Sequence, residues 1–163
     1  MNSFFEPAER CIQVFDTWIA PFSLKVRADH IGYKCSNSTE FERLRFLLER
    51  ESVFMYQSII SQRRIAIIKL LHPLKTVCGE IAFLELSDQK PDGSQVSGFD
   101  HLEVYPLEGT VEELVQEFQK EGRVFEQIAR PHHVTYDRSL AEGFKLRLEA
   151  EPLIEKIKAT EMR

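Results

Sequence analysis

Basic residues are in the minority in this chain. It has 163 residues, with 21 Lys+Arg against 26 Asp+Glu and a formal net charge of −5. There is no long Lys/Arg run, so nucleic-acid binding, which draws most of its affinity from neutralised phosphates, has little support. Cysteine is scarce too: Cys11, Cys35 and Cys78 are odd in number, widely spaced and form no C-x-x-C. That argues against a disulfide framework or a zinc finger and for a reducing compartment. No stretch approaches 18 uncharged apolar residues. The longest apolar patch, Ile65 to Leu71, is broken by Lys69, so no membrane-spanning helix is expected. The opening MNSFFEPAERC lacks the basic start and apolar run of a secretory leader. G-x-x-x-x-G-K-[ST], G-x-G-x-x-G and G-x-S-x-G are all missing, which leaves nucleotide binding and serine hydrolysis unsupported. The expectation is a cytoplasmic protein.

What is present suits one globular domain. Apolar residues make up 43% and charged residues 29%, and this length buries roughly 70% of the surface an unfolded chain exposes. Ile12, Phe15, Ile19 and Phe22 stand at helical spacing and predict an amphipathic helix over about Glu6 to Phe22. A strand is expected at about Leu24 to Cys35 and a helix from Glu40 to about Glu51. Three strands follow, over Val53 to Ile60, Arg63 to Leu71 and Cys78 to Leu86, with turns at Ser61-Gln62 and His72-Pro73. After the Lys90-Pro91-Asp92-Gly93-Ser94 loop the order repeats. It runs as a strand at Gly98 to Tyr105, a helix at Thr110 to about Glu121, then strands at Val124 to Ile128, His133 to Tyr136 and Phe144 to Ala150. Pro152 opens a closing helix to about Thr160. The expected organisation is an N-terminal helix (1–23), a first βαβββ module (24–87), a second (97–150) and a C-terminal helix (151–163), in one α+β domain.

Residue-level echoes support a duplication. Asp29-His30-Ile31 returns 71 positions later as Asp100-His101-Leu102, and the T-x-x-E pair Thr39/Glu42 returns at the same offset as Thr110/Glu113. The last strand of each module holds Leu-Glu followed by an apolar residue, at Glu85 and at Glu149. Strict alternation puts Val26, Ala28, His30, Gly32 and Lys34 on one face of the first strand, and Phe99, His101, Glu103 and Tyr105 on one face of the fifth. Lys145, Arg147 and Glu149 form the polar face of the closing strand, where Glu149 taken alone reads as solvated. Glu85 sits in CGEIAFLEL, apolar on both faces, where a carboxylate needs a cation, a metal or donors. His30, Glu85, His101 and Glu149 together supply one imidazole and one carboxylate from each module, a set suited to Zn, Ni, Co, Mn or Fe(II).

The double βαβββ order, with His on each opening strand and Glu on each closing strand, resembles the vicinal oxygen chelate superfamily, which includes glyoxalase I, methylmalonyl-CoA epimerase and extradiol dioxygenases. ADHIGYKC, FDHLEVYPLEG and PLIEKIKATE look more narrowly like the YecM group. The resemblance implies a curved mixed sheet around a metal cup, with His30, Glu85, His101 and Glu149 as ligands and Glu149 or Glu85 as general base. It implies a divalent metal ion as cofactor and a small oxygen-bearing molecule as substrate; the charge balance and the lack of a long apolar run lead to the expectation of no nucleic acid and no membrane as partner. The reaction would be proton transfer of the lyase or isomerase kind. If Glu85 is not a ligand, His30, His101 and Glu149 resemble the facial triad of Fe(II) dioxygenases. A binding protein without turnover, or a metal-free relic of the fold, are the alternatives. Lys69, Arg147 and Tyr56 are candidates for holding substrate, with an exposed Lys/Arg strand edge as the bland explanation of Lys69. His133 reads as a loop residue or as lining the cavity. The sequence leaves the oligomeric state open.

Overall fold

The computed structural model describes residues 2–23, 25–131 and 133–161. Helix α1 (Asn2–Ile19) leads into a first unit of β1 (Val26–Lys34), α2 (Ser38–Glu49), β2 (Ser52–Ile60), β3 (Arg63–Thr76) and β4 (Gly79–Ser87). A second unit follows with β5 (Gly98–Pro106), α3 (Val111–Lys120), β6 (Glu126–Ala129), β7 (Val134–Ala141) and β8 (Phe144–Leu148). Helix α4 (Leu153–Glu161) closes the chain. The strands form one open, curved, mixed sheet in the order β2-β3-β4-β1-β5-β8-β7-β6. Each opening strand runs parallel to the closing strand of its own unit, β1 with β4 and β5 with β8. The two units meet where β1 and β5 pair antiparallel at the centre, so exchanging β1 with β5 relates one half to the other.

Burial explains why three helices share one face. Ala8, Ile12, Phe15 and Ile19 of α1, Phe41, Leu44 and Leu48 of α2, and Val111, Leu114 and Phe118 of α3 form one apolar core with Ile31, Ile68, Leu84, Leu102, Val104, Leu146 and Leu148 of the sheet. Each Val, Leu, Ile or Phe among them contributes about 1.5–3 kcal/mol on burial. Helix α1 starts four residues before the apolar stripe predicts, because Phe4 extends that stripe and its ring packs 5.1 Å from Tyr33 and 5.3 Å from Phe99. The concave face is different. A small cluster of Ile65, Ile67 and Phe83 lies there under Leu153, Ile154 and Ile157 of α4, and the rest is ionic. No described helix is long and apolar enough to cross a membrane.

Two local expectations change. The Thr110/Glu113 capping box forms at α3, but α2 is capped by Asn37, whose side chain accepts from the Glu40 N–H, so Thr39 lies inside the helix. His72-Pro73 is not a hairpin turn: β3 continues to Thr76, and Pro73 falls where the β3–β4 ladder is interrupted between Lys69 and Leu74, a place that tolerates a missing N–H.

Candidate metal centre

The centre of the concave face is built by two β-bulges. Along the β1–β5 ladder Ala28 faces Val104 while His30 faces Glu103, so Asp29 is an extra residue. Gly32 faces His101 while Tyr33 faces Phe99, so Asp100 is the extra residue on the other strand. Each bulge resets the alternation. Val26 and Ala28 therefore join Ile31 in the helix-side core, and Phe99 joins Leu102 and Val104 there, whereas strict alternation had put them beside the histidines.

Each bulge also sets an Asp against the His that follows it. His30 Nδ1 lies 2.8 Å from Asp29 Oδ2, and His101 Nδ1 lies 2.9 Å from Asp100 Oδ1. With the carboxylate accepting from Nδ1–H, each ring presents Nε2 to the cup. The rings stand nearly perpendicular with centroids 5.6 Å apart, and both Nε2 atoms are buried with no hydrogen-bond partner. Close approach is possible because Gly32 has no side chain: a Cβ there would overlap the His101 ring.

His30, Glu85 and His101 each bring a ligand atom within 4.8 Å of the other two. Glu85 Oε2 stands 3.7 Å from His30 Nε2, and Glu103 Oε2 stands 3.5 Å from it on the other side. Glu103 is buried, and Asp29, His30 and Glu103 form a second grouping of the same kind. Glu149 is buried as well, although its strand ends one residue earlier. Its Oε2 accepts from Lys156 Nζ at 3.0 Å and lies 3.2 Å from His133 Nε2, and it joins neither grouping. Lys156 reaches Glu103 Oε1 at 3.3 Å, and Lys34 holds Asp100 at 2.7 Å. Of the residues read as substrate contacts, Arg147 faces the cup and pairs with Asp137. Tyr56 packs on the Ile65/Ile67/Phe83 cluster, and Lys69 lies over the Phe54 ring on the outer strands of the first half.

Among the described residues these contacts join five carboxylates (Asp29, Glu85, Asp100, Glu103, Glu149) to Lys34 and Lys156, while Arg147 and Arg130 share a sixth, Asp137, at the edge, so the carboxylates still outnumber the permanent cations. The shortfall falls on His30. Burial alone would make His30 harder to protonate, but Glu103, the Asp29 hydrogen bond and Glu85 outweigh it and hold the imidazolium up to about 9. Burial opposes ionisation of Glu103 too, and His30, then Lys156, His101 and Arg147, carry it down to about 2. A site so short of positive charge, with two buried ring nitrogens left unpaired, fits a divalent cation.

Glu103, Asp29 and Asp100 were not singled out as site residues from sequence. The hint for Glu103 was its place on the same face of the strand as His101, two residues further along.

The YecM protein family model matches residues 10–157. No curated protein matches the chain in sequence. Among solved structures, a structural-genomics protein designated EC4020 superposes with a TM-score of 0.74 at 21% identity, over 98% of this chain and 92% of that one. A hydroxyglutarate synthase from Oryza sativa, solved in complex with 2-oxoadipate, superposes with a TM-score of 0.52 at 8% identity, over 94% and 83%. The sheet is that of the vicinal oxygen chelate fold, and the chain belongs to the YecM family.

Proposed function

We propose that this chain is a divalent-metal-dependent enzyme that acts on a small oxygen-bearing molecule by proton transfer of the lyase or isomerase kind. The observation that carries this reading is the pair of buried, unpartnered Nε2 atoms of His30 and His101, each held by an Asp on Nδ1, with Glu85 beside them. His30, His101 and Glu85 would hold the ion, with Glu103 at its flank. Two imidazoles and a carboxylate suit Zn, Ni, Co, Mn or Fe(II). When bound, such an ion polarises a substrate oxygen and eases loss of a neighbouring proton. The protein's own part is to move that proton. Glu149 is the base, and His133, exposed at the rim and 3.2 Å from it, passes the proton to solvent. The wall of Ile65, Ile67 and Phe83 under α4 keeps water from that side of the cup. The hydroxyglutarate synthase neighbour is itself described with a small-molecule ligand, which supports a ligand of that size.

A second reading, Fe(II)-dependent dioxygenase chemistry, is favoured by the grouping itself, since His30, His101 and Glu85 have the composition of a two-His-one-carboxylate site. Elemental analysis of protein purified without a metal-affinity tag tests the common premise. About one equivalent of a divalent ion per chain is expected, lost in the His30→Ala/His101→Ala variant with secondary structure intact. Iron retained under anaerobic purification would favour the second reading. Protein that takes up none of these ions would end both.

A further inference from the structure

Exchange of β1 with β5 carries His30 onto His101 and Gly32 onto Glu103, and the ladders extend the comparison to the closing strands. The residue beside Gly32 on β4 is Glu85. The residue beside Glu103 on β8 is Arg147. The second half therefore presents a guanidinium where the first presents a carboxylate, and Glu149 lies two positions further along.

Arg147 is fixed in place. Its Nε donates to Asp137 Oδ1 at 2.9 Å and its Nη2 to Oδ2 at 3.2 Å, which locks the rotamer and leaves Nη1 without a described acceptor. Asp137 also lies 3.8 Å from Arg130 Nη2, and Arg130 Nε donates to Thr135 Oγ1. Two guanidiniums thus share one buried carboxylate at the edge of a centre rich in carboxylates. Arg147 is within electrostatic reach of Glu85 and Glu103. Holding two like charges together is unfavourable, and it is relieved by an arriving anion. Among the described residues, the corresponding wall of the first half is formed by Ile65, Ile67 and Phe83 under α4, with Lys69 over the Phe54 ring on its outer strands.

We propose that the cup takes a carboxylate-bearing ligand, anchored through its carboxylate by Arg147 with Arg130 beside it, so that an adjacent oxygen faces the His30–Glu85–His101 group. A planar guanidinium matches a carboxylate with two parallel hydrogen bonds, which an ammonium does not. This deepens the function proposed above and rests on it. It makes the substrate class a short 2-oxo or 2-hydroxy acid, and Arg147 the residue that selects it.

The test is calorimetric titration of the cobalt(II)-loaded protein with glycolate, pyruvate and 2-oxoglutarate, each beside its neutral amide or ester. At least one acid is expected to bind and to shift the cobalt absorption, about tenfold or more tighter than its neutral counterpart. The Arg147→Gln/Asp137→Asn variant removes both members of the closer ion pair and leaves only Arg130, about a third exposed, without its carboxylate. It is expected to load cobalt as before, to lose acid binding by about tenfold or more, and to leave the neutral compounds unaffected. Arg130→Gln, at a more exposed position, gives a smaller loss in the same direction and serves if the double variant does not fold. Acids that bind no better than their neutral forms, or equally well to the folded variants, overturn the proposal. Failure of cobalt to load overturns the metal reading instead. Acid binding to metal-free protein that disappears in the variant would then still uphold the anchor.

Discussion

Asp29 and Asp100 decide what His30 and His101 can do. A buried imidazole with a free choice of tautomer would turn whichever nitrogen found a donor or acceptor. With Nδ1 spoken for at 2.8 and 2.9 Å, both rings are left aiming Nε2 at one point. Asp100→Asn is the probe of choice, because its second partner, Lys34, is partly exposed, whereas Asp29 also accepts the Leu153 N–H of α4. An amide can offer Nδ1 the wrong partner, so metal affinity is expected to fall about 10- to 100-fold with the fold retained, as read by competition against a chelator of known affinity. Gly32 is the other residue on which the geometry turns. Gly32→Ala drives a methyl into the His101 ring. The expected outcome is a loss of about 1–3 kcal/mol in stability together with loss of metal uptake. An alanine variant that binds metal normally would show that His101 need not stand where it does.

At the scale of single elements, the sequence was read correctly where one rule applied and misread where two competed. The order of strands and helices followed from periodicity and turn residues, because each element had to bury one face. The 71-residue echo of Asp-His also marked the two opening strands. Alternation failed at Asp29 and Asp100, since a bulge consumes one residue without advancing the ladder. It thereby hid that these acids, and not only the histidines, belong to the site. Matching Glu85 to Glu149 by the Leu-Glu dipeptide was a sequence likeness; the ladders pair Glu85 with Gly32 and Arg147 with Glu103. Nothing in a one-dimensional pattern told α4 from an ordinary surface helix. Yet it crosses the concave face and extends Lys156 between Glu103 and Glu149. Lys156→Met is expected to destabilise the metal-free protein by about 1–3 kcal/mol, less than a fully dry ion pair would give because the side chain remains about a quarter exposed. Urea denaturation of metal-free and metal-loaded protein checks this. The loss should shrink when a bound cation takes over part of the neutralisation.

The whole molecule is a duplicated sheet whose halves have been put to different uses. The first half lends Glu85 to the centre and closes its wall with apolar residues; the second keeps His101 and opens a wall of arginine. Between them lies a group of carboxylates that outnumbers the neighbouring cations, and a proton held on His30 offsets part of that excess. The consequence is a dependence of stability on pH. His30 is held up to about 9 from an ordinary 6.5, so its contribution is complete below pH 6.5 and is lost as pH rises through about 9. Glu103 is held down to about 2 from 4.5, so its contribution is complete above pH 4.5 and is lost as pH falls through about 2. Metal-free protein is therefore expected to be most stable between about pH 4.5 and 6.5, with urea midpoints declining on both sides. Metal-loaded protein should be more stable wherever the ion stays bound, and the shape of its profile should differ on the alkaline side. There the bound ion takes the place of the His30 proton, so the midpoint should hold steady through pH 9, and acid should remove both the metal and the difference. Identical alkaline limbs with and without metal would mean that the positive charge this face needs comes from somewhere other than His30.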